Sequence, residues 1–105
     1  MAALHLNDDA FMRLLQEEKP VLVEFWAPWC GHCRDLEDAF DRIAEEYADQ
    51  LAIGKINIDD YPQLAEQYFV EFVPTLMLFA EGSVIDYVIS PGSQDAIAEF
   101  IDELL

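Results

Sequence analysis

The stretch VLVEFW, Val21 to Trp26, is apolar at all but one of its positions. A strand with one wet face alternates apolar and polar residues; this one does not. Its β-branched and aromatic side chains suit a central strand buried on both faces. A sheet that is apolar on both sides needs helices packed on both sides. VPTLMLF, Val73 to Phe79, reads as a further major strand.

The rest of the chain supplies those helices. Leu4 and Leu6 flank His5 in a short strand, and Asn7 and Asp8 can cap a helix whose Phe11, Leu14 and Leu15 share one face. Lys19-Pro20 ends that helix. Further on, Leu36, Phe40, Ile43, Ala44 and Tyr47 recur at helical spacing, and the acids between them read as a solvated face. LAIGKINI, Leu51 to Ile58, reads as a strand, and Pro62 suits the first turn of a short helix carrying Leu64 and Tyr68. Glu81-Gly82 reads as a hairpin turn into SVIDYVI, Ser83 to Ile89. Pro91-Gly92-Ser93 breaks the chain before a last helix with Ile97, Phe100, Ile101, Leu104 and Leu105 on one stripe. The order β-α-β-α-β-α-β-β-α predicts an α/β sandwich of three layers around a mixed sheet of about five strands. Strands joined through helices are expected to run parallel and the final hairpin antiparallel. At 105 residues, the chain has the size of one domain, 1–105.

Charge narrows the partners. A net charge of −17 argues against nucleic acid or an anionic membrane and favours basic or neutral targets, unless it serves solubility alone. No apolar run approaches the roughly 18 residues that span a bilayer. The start, MAALHLNDDAF, has no basic segment followed by a long apolar stretch, so a cytoplasmic location is expected.

The chain has two cysteines, Cys30 and Cys33, and both lie within WCGHC. In a cytosolic protein this spacing points to redox chemistry or a metal. Cys30 falls where a strand gives way to a helix, so free amides and the helix dipole favour its thiolate, the reactive form. Cys33 is about one turn on, close enough to form a disulfide. The first cysteine can attack and the second can resolve. Cys30, His32 and Cys33 supply three metal-binding groups, but zinc usually takes four ligands and His5 is the only other histidine, so no metal site is assigned.

WCGHC after EFWAPW, followed in order by KINIDDYP, FVPTLMLF and EGSV, resembles the thioredoxin superfamily from about residue 4 to residue 105. Length and layout look like the single-domain bacterial thioredoxins; the Gly31-His32 pair looks like the catalytic domains of protein disulfide isomerase. The resemblance implies a thioredoxin fold and a thiol–disulfide oxidoreductase. It implies Cys30 as nucleophile, Cys33 as resolving cysteine, and no cofactor beyond their own disulfide. Trp29 then shields the site, Pro74 is a cis-proline facing the disulfide, and Val73 pairs with the substrate chain, with Gly31, Thr75 and Ser90 in the same groove. Glu24 is implied as the buried acid that exchanges the proton of Cys33, with Lys55 as its partner. Burial would raise the pKa of Glu24 and Lys55 would lower it. A structural Glu24–Lys55 ion pair is the plainer alternative. His32 either fills the loop or stabilises the Cys30 thiolate, while Asp35, Glu37, Asp38, Asp59 and Asp60 oppose that charge.

Three departures stand out. Asp38 occupies the place of a helix-kinking proline, Ser90 that of a glycine, and the arginine assisting turnover in the isomerase domains has no match near residues 89–94. The implied partners are protein disulfides and a recycling reductase, with the chain itself a monomer. A disulfide oxidase or isomerase, and a non-catalytic interaction module, are the competing functions.

Overall fold

The computed structural model describes residues 3–105. The first two residues of the expected 1–105 domain lie outside it. Strands β1 (Leu4–His5), β2 (Val21–Trp26), β3 (Ala52–Asn57), β4 (Thr75–Ala80) and β5 (Ser83–Ile89) form one sheet in the order β1-β3-β2-β4-β5. Helices α1 (Asp8–Leu15), α2 (Gly31–Glu46), α3 (Pro62–Gln67) and α4 (Gln94–Leu104) cover its faces.

β2 is the centre strand, and its two-residue period splits the core. Leu22 packs with Ile53, Leu76 and Leu78 against Phe40 and Ile43 of α2 and Ile97 and Ile101 of α4. Val21, Val23 and Phe25 point the other way, toward Phe11 of α1 and Leu64 of α3. Phe11 also meets Phe79 edge to face, with ring centroids 5.4 Å apart. Each such side chain, fully buried, contributes about 1.5–3 kcal/mol.

Local chemistry sets the element ends. Asn7 Oδ1 accepts the Ala10 amide at 2.8 Å and starts α1. Ser93 Oγ accepts the Ala96 amide at 3.1 Å and starts α4. α3 opens on Pro62, whose missing N–H costs nothing at a first turn. At the β4–β5 hairpin, Glu81 and Gly82 have φ of 53° and 81°. Two positive values in a two-residue loop give the turn whose twist matches the flanking strands.

One expectation is corrected. β1 and β2 both run parallel to β3, but β4 runs antiparallel to β2 although α3 lies between β3 and β4. α3 has six residues and rises about 9 Å, less than half the roughly 20 Å of a six-residue strand. It does not return the chain to the far end of the sheet. β4 therefore starts where β2 finishes, with Thr75 opposite Phe25.

β3 is held against β1 with no room to spare. A Cβ on Gly54 would stand 2.7 Å from Leu6 Cγ and 3.1 Å from the Leu4 carbonyl oxygen. Gly54→Ala should destabilise the protein by about 1–3 kcal/mol through overpacking, read as a lower urea midpoint at unchanged slope.

Candidate functional site

The chain leaves β2 at Trp26, turns through buried Ala27 and exposed Pro28 and Trp29, and enters α2 at Gly31. Cys30 is the N-cap of α2, and its Sγ accepts the Cys33 amide at 3.1 Å. A hydroxyl or carboxylate oxygen usually fills this role. With sulfur there, the free amides and the helix dipole favour negative charge on Cys30 once it is reduced. Cys30 and Cys33 are joined as a disulfide, with Cα atoms 5.3 Å apart. Neither side chain is more than slightly exposed.

The start of β4 forms the opposing wall. The Val73–Pro74 peptide is cis, and the Val73 carbonyl oxygen lies 3.6 Å from Cys30 Sγ. Pro74 and Thr75 are buried, and Thr75 Oγ1 donates to the Phe72 carbonyl at 2.6 Å. The Ser90 amide donates to the Pro74 carbonyl at 2.8 Å. Ser90 has a φ of 49°, in the left-handed region that glycine occupies freely. Trp29 is 65% exposed and donates its indole N–H to Asp59 Oδ1 at 3.2 Å. His32 Nε2 lies 3.4 Å from the Pro91 carbonyl oxygen, at the edge of this wall. Gly31 is exposed, and a Cβ there would meet nothing nearer than the Arg34 guanidinium at 3.9 Å, so no steric demand for glycine exists.

Beneath the disulfide, alternation along β2 puts Glu24 on the same face as Leu22, toward α2. On β3, Lys55 shares the face of Ile53, and its backbone pairs in register with that of Glu24. A cavity of about 280 Å³ is lined by Glu24, Lys55, Cys33, Glu37, Trp26 and His5, among others. Glu24 Oε2 and the Trp26 indole N–H are buried there without a hydrogen-bond partner among the described residues. Lys55 does not close on Glu24 as a tight pair. Its ammonium lies 3.8 Å from Asp41 Oδ1 and 5.9 Å from the centre of the Phe40 ring. Burial pushes Glu24 up from 4.5 to about 7; the charge of Lys55 pulls it down, and Glu37 and Asp41 push it further up. Burial is the larger effect, which settles the balance left open by composition.

Helical spacing puts Asp41 among the acids of a solvated face. It is instead half-buried, holding Lys55 and accepting the Ala3 amide at 3.2 Å. Cys33, Glu37 and Asp41 recur every four residues, so helical spacing alone lines them up on one side of α2. Asp35 and Asp38 stay exposed, and Asp60 lines a separate hollow beside His5 and Lys55. Among the described residues, no group of three or more histidine, cysteine, aspartate or glutamate side chains is placed to hold a metal ion. No described helix is long and apolar enough to cross a membrane.

A disulfide at a helix N-terminus, walled by a cis-proline loop and underlain by a buried acid, defines a thiol–disulfide oxidoreductase of the α/β sandwich class. The sequence model of the family described as Thioredoxin matches residues 2–103. Thioredoxin 1 of Synechococcus elongatus is 41% identical over 98% of this chain and 97% of its own length. Thioredoxin of Acidithiobacillus ferridurans is 40% identical over 99% and 97%. The chloroplastic M-type thioredoxin of Chlamydomonas reinhardtii is 39% identical over 95% of this chain and 72% of its own length. The chain belongs to the thioredoxin family. It exchanges thiols and disulfides through its own cysteine pair, without a separate cofactor. Protein disulfides are its class of substrate, and a reductase its class of partner.

The raised acid has a stability signature. The folded pKa of about 7 exceeds the unfolded value of 4.5, so this group's contribution is fully present below about 4.5 and is lost as pH rises through about 7. The loss approaches about 3 kcal/mol. Glu24→Gln removes it. The stability of oxidised variant minus oxidised wild type should grow by about that amount between acid and about pH 8. A difference that stays flat with pH would show the carboxyl ionising as readily in the native protein as in the unfolded chain.

Proposed function

We propose that the 105 residues act as one domain and a monomer in the cytoplasm, where they reduce protein disulfides broadly. The position of Cys30 carries this reading: its sulfur caps α2 and lies 3.6 Å from the Val73 carbonyl, a backbone acceptor for a partner chain. A charge of −17 supports the monomer, since copies repel one another.

In the reducing direction, the Cys30 thiolate attacks one sulfur of the target disulfide. A mixed disulfide forms, and the other target sulfur leaves as a thiolate that takes a proton from solvent. Cys33 gives its proton, through water in the cavity that both residues line, to the Glu24 carboxylate and attacks the Cys30 sulfur. The second target sulfur leaves, and the Cys30–Cys33 disulfide remains. Two electrons have passed to the target, and the reductase restores the dithiol. Glu24 suits its part because a pKa of about 7 populates both of its forms near neutrality. Lys55 tunes that value. Val73, Pro74 and Thr75 present backbone to the target, with Trp29, Gly31 and Ser90 framing the approach. His32, two residues after Cys30, is the residue assigned to stabilise its thiolate.

The Gly31-His32 pair favours a second direction, oxidation or isomerisation. Thioredoxin lies near −270 mV and the isomerase near −180 mV, a gap of about 4 kcal/mol for two electrons. The potential of this protein should fall between them, measured by equilibration with glutathione. A value at or below that of thioredoxin would remove His32 from the account. In insulin reduction driven by dithiothreitol, Cys30→Ser should abolish turnover. Cys33→Ser should accumulate the mixed disulfide, seen as an added mass on the intact protein. Turnover that survives Cys30→Ser would defeat the mechanism.

A further inference from the structure

The sheet face opposite α2 and α4 is only partly covered. α1 and the six-residue α3 shield β2, β3 and β4, but they leave β5 open. There a groove of about 640 Å³ runs between the sheet and the segment joining α3 to β4. Its floor includes Met77, Val84, Tyr87 and Ile89, and its wall includes Phe69 and Phe72. Phe69 is 87% exposed, Phe72 61% and Tyr87 56%. Exposed aromatic clusters of this kind mark interaction surfaces. The Phe69 φ of 58° is the left-handed turn that closes α3, with the Val70 amide donating to the Ala65 carbonyl at 2.8 Å, and this turn aims the Phe69 side chain outward. Nothing among the described residues covers its ring.

The groove abuts the exchange site. Phe72 precedes Val73, whose carbonyl lies 3.6 Å from Cys30 Sγ. Ile89 pairs across the ladder with Thr75 and precedes Ser90, which bonds the Pro74 carbonyl. This end of the groove therefore lies within one residue of the wall that faces Cys30. Charge decides the occupant further: Glu71 lies in the wall, on a protein of net charge −17. A second copy would meet like charge.

We propose that this groove is a client-docking surface that seats an apolar, neutral or basic segment flanking the disulfide of the protein being reduced. The proposal rests on the disulfide-exchange reading and deepens it. Phe69, Tyr87 and Val84 then determine specificity without touching the reacting sulfurs.

Two disulfide-linked peptides test it. Both carry two lysines; one has leucine and phenylalanine beside its cysteine, and the other has serines at those positions. The wild type should reduce the apolar peptide with a KM about tenfold lower than the serine peptide, at similar kcat. Phe69→Gly should erase most of that preference and leave the serine peptide unaffected. Glycine adopts the left-handed backbone freely, so the variant keeps its fold. Tyr87→Ser, at an exposed position, should act in the same direction. Equal KM values for the two peptides in wild type, or a preference unchanged in Phe69→Gly, would overturn the client groove while leaving exchange chemistry intact. Reduction of neither peptide would overturn the exchange reading and the groove together. Concentration-dependent dimerisation of wild type, lost in Phe69→Gly, would assign the groove to a second copy and overturn the proposal.

Discussion

Burial of both faces of β2 is the constraint on which the rest depends. One face must be covered by α1 and α3 and the other by α2 and α4, which makes the three layers obligatory. The same strand ends directly beneath the start of α2, so the strand-to-helix turn falls at the edge of a rigid sheet. Cys30 occupies that turn. The redox sulfur is thus positioned by the best-packed element of the molecule rather than by a free loop.

A buried strand with a two-residue period also forces Glu24 into the interior. Its neighbour Leu22 points into the α2–α4 core, and Glu24 must point the same way. The protein meets the electrostatic cost with a cavity and a cation held slightly apart. Lys55 lowers the pKa of Glu24 but is itself drawn toward Asp41. A direct Glu24–Lys55 contact would hold the carboxylate ionised; a cation shared with Asp41 leaves the acid close to neutrality in pKa. The surface acids of α2 therefore tune an interior proton site while also serving as a solvated face.

Much of this was legible before any coordinates. The doubly apolar run of β2, the helical recurrence from Leu36 to Tyr47, the Glu81-Gly82 turn and the cysteine spacing are local patterns, and local patterns survive folding. The direction of β4 was not legible, because it depends on a length comparison between α3 and a strand, made in three dimensions. The role of Asp41 was hidden because polarity alone does not say which acid on a helix faces a buried lysine. The groove at Phe69 escaped because tertiary covering, not periodicity, decides whether an aromatic residue is buried.

The reversed entry of β4 has a further consequence. Cys30 and Cys33 are three residues apart, so their bond can close within a single turn of chain. The Val73–Pro74 wall that confronts them arrives from 43 residues away. The bond itself is thus encoded in a single helical turn. The wall that faces it is encoded in a junction that exists only once the whole sheet has assembled.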